Sequence, residues 1–124
     1  MVVTVRKLLL GGVVACSCLL LASCLTTGKR SSQYTLTNTE IGAVESGIRS
    51  ARPDLKDPTF RGFEAVQHED GQIDVCGWIR PSTGSEQPFI GTLFAGTFAV
   101  ERLGGNEADN AEIFYMCRNR RVAI

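Results

Sequence analysis

"RGFEAVQHEDGQIDVCGWIR", residues 61–80, decides how this chain folds. Two runs rich in Val, Ile, Phe and Trp flank Asp70-Gly71, a dipeptide that suits a two-residue turn with positive φ at both positions. The stretch therefore predicts a β-hairpin. A two-residue turn there would pair Val66 with Val75 and His68 with Ile73 on one face. On the other, Phe63 would pair with Trp78 and Ala65 with Cys76. Both faces carry apolar residues, so each needs a cover: a helix on one, the segment carrying Cys117 on the other. Arg61 would oppose Arg80, an unfavourable like-charge pair at which the hairpin should fray.

Upstream, "TNTEIGAVESGIRSARP" (37–53) predicts that helix. Thr37 and Glu40 have capping-box spacing, Ile41, Val44, Ile48 and Ala51 recur at helical period, and Pro53 ends the pattern. Gly42 and Gly47 each cost a helix about 1 kcal/mol against Ala, so packing must hold it together. Pro58 marks a turn into the hairpin. Downstream, "PSTGSEQP" (81–88) is a loop. "FIGTLFAGTFAVERL" (89–103) predicts two short strands, 89–94 and 97–102, with Gly96 as a bulge or bend. Residues 107–119 fit two patterns. As a strand, Ile113, Tyr115 and Cys117 share a face; as a helix, Ala108, Ala111, Phe114, Tyr115 and Cys117 form a stripe. The helix is favoured, because Asn106 or Asp109 can cap its start and Arg118, Arg120 and Arg121 suit its carboxyl end. The expected class is α+β: an N-terminal helix, about four antiparallel strands and a C-terminal helix, in one domain over 37–124.

The first 24 residues are of another kind. Arg6 and Lys7 precede an uncharged apolar run, Leu8–Ser23. A charged start, an apolar middle and a small-residue end make a secretory signal, and the run is short of the ~20 residues of a spanning helix. Its end, Leu21-Ala22-Ser23-Cys24, resembles the bacterial lipobox. The resemblance implies removal of 1–23 as a lipoprotein signal peptide, a diacylglyceryl group on the Cys24 sulfur and an acylated new amino terminus. A rival box at Val13-Val14-Ala15-Cys16 would leave a very short apolar run, and an ordinary cleaved signal is the plainer alternative. Leu25 in place of Asp favours the outer membrane, by resemblance to enteric sorting. Residues 24–36, polar with Gly and Ser, read as the lipidated cysteine and a flexible tether.

Removing Arg6 and Lys7 leaves 11 basic against 13 acidic residues. That balance argues against nucleic acid, which wants a basic stripe. Of five cysteines, Cys16 and Cys18 leave with the signal and Cys24 takes lipid. Cys76 and Cys117 remain, and in an oxidising compartment they should form a disulfide. One histidine and two distant cysteines make no zinc site, so neither metal nor cofactor is expected.

Leu55–Phe60, Val75–Trp78 and Pro88–Gly91 resemble the pattern of small, largely uncharacterised secreted proteins and lipoproteins of alphaproteobacteria. Those have a helix, a Lys-Asp-Pro turn, a Cys-Gly strand, a Pro-Phe strand and a late cysteine. Here the turn is abbreviated to Asp57-Pro58-Thr59-Phe60, and the segment before Pro88 lacks an Asn- and Gly-rich run. The resemblance implies fold and compartment and brings no activity.

Chemistry is sparse. His68 reads as a solvated turn residue, and no nucleophile elbow or second imidazole accompanies it. Trp78 reads as core against the disulfide; exposed beside the loop, it would be a sugar- or protein-binding platform. Ser82, Thr83, Ser85 and Glu86 are the loop's candidate partner-binding residues. The expected function is that of a non-enzymatic envelope lipoprotein, an accessory or binding module near a membrane protein. The alternative is a periplasmic inhibitor of a cell-wall-degrading enzyme such as lysozyme, with "PSTGSE" plugging a cleft. An enzyme acting on cell wall would need a pocket holding His68 and a carboxylate.

Overall fold

A computed structural model describes residues 30–124. The expected signal peptide 1–23, the expected lipidation site Cys24 and the first part of the expected tether lie outside the described residues. The described residues are α+β: five antiparallel strands in one sheet and two helices. In chain order the elements are β1 (Ser31–Tyr34), α1 (Asn38–Ala51), β2 (Thr59–His68), β3 (Ile73–Arg80), β4 (Gln87–Phe94), β5 (Thr97–Leu103) and α2 (Glu107–Asn119). Strand order in the sheet follows chain order, β1-β2-β3-β4-β5.

The hairpin at 61–80 forms with a different turn. The His68 carbonyl accepts from Gly71 N–H at 3.0 Å, and His68 N–H donates to Gln72 O at 2.9 Å. Three residues, Glu69, Asp70 and Gly71, thus make the loop, and Gly71 alone of them has positive φ, +88°. A tight turn closed by a left-handed glycine is the standard three-residue hairpin. Asp70 Oδ1 accepts from Gln72 N–H at 2.9 Å and fixes the bend. The extra residue shifts every expected pair by one, so Gln67 faces Ile73, Val66 faces Asp74 and Ala65 faces Val75. A second slip lies between Arg61 and Glu64. There Gly62 (φ +63°) and Phe63 together oppose Gly77, a β-bulge. Beyond it Arg61 faces Trp78 and Thr59 faces Arg80, so the expected Arg61–Arg80 opposition does not occur.

The two-residue turn sits instead at Ala95-Gly96. Both have positive φ, +50° and +79°, and Phe94 pairs directly with Thr97. Gly96 is therefore part of a true turn rather than a bulge. Alanine is an unusual occupant, because Cβ costs about 1–2 kcal/mol in that conformation.

The sheet has one more strand than the sequence suggests. Ser31–Tyr34, expected as tether, pairs antiparallel with β2, Ser31 opposite His68 and Tyr34 opposite Ala65. An edge strand needs only backbone bonds on one side, so its polar composition is no obstacle. Tyr34 and Leu36 pack against the core and tie the segment down.

Each face has its helix. Val44 and Ile48 of α1 pack on Ala65, Ile73, Val75, Ile79, Phe89, Leu93 and Phe98. The predicted capping box is present, with Glu40 N–H donating to Thr37 Oγ1 and Thr37 N–H to Glu40 Oε1. On the opposite face Ile113, Cys117 and Val122 meet Val66, Cys76 and Ile90. The segment 107–119 is helical, capped by Asn106 through Asp109 N–H at 2.8 Å. Its buried stripe is Ile113 and Cys117; Tyr115, expected inward, is 62% exposed. Cys76 and Cys117 are disulfide-bonded, with Cα atoms 6.4 Å apart.

The two glycines of α1 differ in role. A Cβ on Gly47 would stand 2.6 Å from the Phe98 carbonyl oxygen, whereas one on Gly42 meets nothing within 4 Å. Gly42→Ala should therefore raise stability by up to about 1 kcal/mol. Gly47→Ala should lower it by roughly 1–3 kcal/mol, through steric clash. Paired thermal melts check both, and equal shifts would contradict the close approach of α1 to β5.

Candidate functional site

The connections gather at two ends of the sheet. At one end lie Ser31, the 69–72 hairpin tip and the 95–96 turn, because Ser31 pairs with His68, Ile73 with Leu93 and Phe94 with Thr97. At the other lie the loops 52–58, 81–86 and 104–106, because Thr59 pairs with Arg80, Ile79 with Gln87 and Phe89 with Leu103. The sequence-predicted binding residues fall together at this second end.

Trp78 is half-buried rather than core. Phe114 of α2 lies against its ring, centroids 5.6 Å apart and planes tilted 50°. The Arg61 guanidinium stands 5.3 Å from the indole centroid, a cation–π arrangement. The bulge creates this contact, since an unbroken register would put Gly62 opposite Trp78. Arg61 in turn grips Glu86 through two parallel bonds, Nε to Oε2 at 2.6 Å and Nη2 to Oε1. That pairing holds the Glu86 carboxyl below the usual glutamate range, chiefly through the hydrogen bonds from Arg61. Glu86 is thus engaged rather than a free acid. The chain Glu86–Arg61–Trp78–Phe114 joins the loop to the α2 face.

The loop rises between two fixed points. Ser82 N–H donates to Lys56 O at 3.1 Å on one side, and Glu86 is held by Arg61 on the other. Pro81 is buried, while Ser82, Thr83, Gly84 and Ser85 are all exposed. The arrangement can present three hydroxyls on a short, braced tip. A ligand could stack on Trp78 only after the Arg61–Glu86 pair swings aside.

His68 departs most from its sequence reading. It is the last residue of β2, not a turn residue, and its side chain is 21% exposed. Nε2 lies 2.6 Å from Asp74 Oδ2. Among the described residues Asp74 is the only buried charged side chain, at 2% exposure. Thr92 Oγ1 is 3.3 Å from Asp74 Oδ1 and 2.9 Å from Glu101 Oε1; its single hydrogen serves one at a time. Arg120 completes the group with bonds of 2.6 and 2.7 Å to the two Glu101 oxygens, and its Nη1 is 3.5 Å from Asp74 Oδ1. Five segments, the four strands β2 to β5 and the residue after α2, thus converge on a polar cluster near the first end of the sheet. Among the described residues it has no free nucleophile, because the Thr92 hydroxyl is spent on carboxylates and Cys76 and Cys117 are bonded to each other. Composition could not reveal the cluster, since Arg120 and Asp74 meet only once α2 folds over the sheet.

Arg120 gives the cluster an acid dependence. Its hydrogen bonds hold the Glu101 carboxyl below the usual glutamate range. A depressed folded value adds stability that is complete above the unfolded value and disappears as pH falls through the folded one. Arg120→Gln should therefore reduce the acid loss of stability below about pH 4.3, the ordinary glutamate value. Urea midpoints measured down the acid limb check this; parallel curves for the two chains would refute it.

No protein-family model matches the chain, and neither a curated protein nor a solved structure matches it. Among the described residues no helix is long and apolar enough to cross a membrane.

Proposed function

We propose that this chain is a bacterial envelope lipoprotein, anchored in the outer membrane through lipid on Cys24. Its domain serves as a non-enzymatic accessory or binding module on the periplasmic side. The observation that carries this reading is Leu21-Ala22-Ser23-Cys24 closing a charged-then-apolar segment. The Cys76–Cys117 bond suits an oxidising compartment. One acyl chain holds a protein only marginally and two hold it stably, so a diacylated and N-acylated cysteine is a durable anchor. Anchoring concentrates the domain near membrane partners without any new contact. The partner-binding residues proposed are Trp78, Ser82, Thr83, Ser85 and Glu86. Intact-mass spectrometry of the envelope protein should give a chain starting at Cys24 with three acyl chains. Cys24→Ser should abolish the added mass, and an unmodified amino terminus in the wild type would overturn the reading. Cross-linking of solubilised envelopes should then capture one stoichiometric partner.

A second reading draws support from the braced 82–85 tip: a periplasmic inhibitor of a cell-wall-degrading enzyme such as lysozyme. Tight inhibitors insert a preorganised segment into a cleft. Titration of lysozyme with the detergent-solubilised lipoprotein should give stoichiometric inhibition that Thr83→Arg weakens. Full lysozyme activity at excess lipoprotein would dismiss it.

A further inference from the structure

We infer that the sheet end formed by Ser31 and the Phe94–Thr97 turn docks on the bilayer that holds the lipid, with Phe94 inserted at the interface; this rests on the Cys24 anchor proposed above. The span of chain available is the first support. Six residues, 25–30, separate Cys24 from β1, and even fully extended they reach only about 20 Å. They arrive at Ser31, in the same end row as His68 and the 94–97 turn. From β1 to β4 is three strand spacings, about 14 Å. The tether is thus too short to let this end wander far from the surface, and long enough to let it lie down.

The second support is the turn itself. Phe94, Ala95, Gly96 and Thr97 are all exposed and carry no charge, and Phe94 is 58% exposed. Ala95 stands where Asn, Asp or Gly would fit the backbone better. A hydrophilic choice was available at no steric loss, yet the tip is apolar. A rigid hairpin ending in an exposed phenyl ring can set it about 5–10 Å into the headgroup–acyl boundary. The charges of this end row do not favour an anionic surface: Arg30, next to Ser31, is exposed, and so are Glu69 and Asp70 of the hairpin tip. Docking is therefore apolar in origin, and it should persist in high salt and on zwitterionic lipid. The Trp78 end, with the 82–85 tip, then points away from the membrane.

The sole tryptophan makes this testable. The full-length lipidated protein is reconstituted into phosphatidylcholine vesicles, with or without a shallow doxyl-labelled lipid, and floated on a gradient. Trp78 lies about 17 Å along β3 from the docking row, so wild-type fluorescence should be unchanged by the quencher. Phe94→Trp in a Trp78→Phe background should lose most of its emission and shift to the blue. Co-flotation without quenching at position 94, or quenching of Trp78, would overturn the docking and leave the anchor standing. Failure to float would remove the anchor reading and the docking with it. Hydroxyl-radical footprinting of the unsubstituted chain is the second measurement. Phe94 should lose reactivity on moving from detergent to vesicles while Tyr115 keeps it; equal reactivity in both would also overturn the docking.

Discussion

Replacing Cys76 and Cys117 together by alanine should lower the unfolding free energy of the domain by about 4 kcal/mol, as the chain-entropy model gives for a loop of this length. The two cysteines are 41 residues apart in sequence and both are 0% exposed. The bond fastens α2 to the middle of β3. Without it, Ile113, Met116 and Val122 still have Val66 and Ile90 to pack against, so the native state should form. It should form from a less restricted unfolded chain, and α2 should be the first element to open. For a domain whose total stability is of order 5–15 kcal/mol, the change decides whether it survives mild heating. Urea unfolding followed by circular dichroism, with hydrogen exchange on α2, measures both effects. A loss under about 1 kcal/mol would mean that the apolar face of α2 alone holds the layer.

Asp74→Ala should cost about 3 kcal/mol, the lower edge of what removing one partner from a buried charge pair costs. The lower edge applies because the survivors have alternatives. Arg120 keeps both oxygens of Glu101, and His68, partly exposed, can meet water. What is lost is the acceptor for His68, an alternative acceptor for Thr92, and the volume of the carboxylate. Asp74→Asn retains the volume and one acceptor, so it should cost roughly half as much. A double-mutant cycle with His68→Ala separates the His68–Asp74 coupling from the rest. If Asp74→Ala unfolds at the wild-type urea midpoint, the cluster is solvated and the burial of Asp74 is wrong.

Local chemistry was readable where the cause of structure is local. Thr37 with Glu40 announces the start of α1, and Pro53 its end. The Val, Ile and Phe runs mark β2 to β5, and Cys76 and Cys117, the two cysteines outside the first 24 residues, were the expected pair. Register was not readable. Asp-Gly serves a two-residue turn and a three-residue turn equally, and one residue moves every partner. The interior glycine at 62 was the available sign of the bulge, and the bulge is what brings Arg61 to Trp78. The β1 strand was hidden because an edge strand needs no apolar alternation; Tyr34 and Leu36 were its only trace. His68 was misplaced because its surroundings come from β3, β4, β5 and the residue after α2, which no neighbouring sequence names.

The unbroken β1-to-β5 order of the sheet has a kinetic consequence. Strands β3 to β5 pair in turn with the strand just before them, across connections of a few residues, and only the β1–β2 pair spans a helix. Such low contact order favours rapid assembly. Thiol oxidation is on a slower clock, seconds or longer, and it needs the last helix in place. Refolding from the reduced chain should therefore show strand signal first and consumption of free sulfhydryls afterwards. Cys76 then meets its mate inside a scaffold already built, which leaves little opportunity for mispairing.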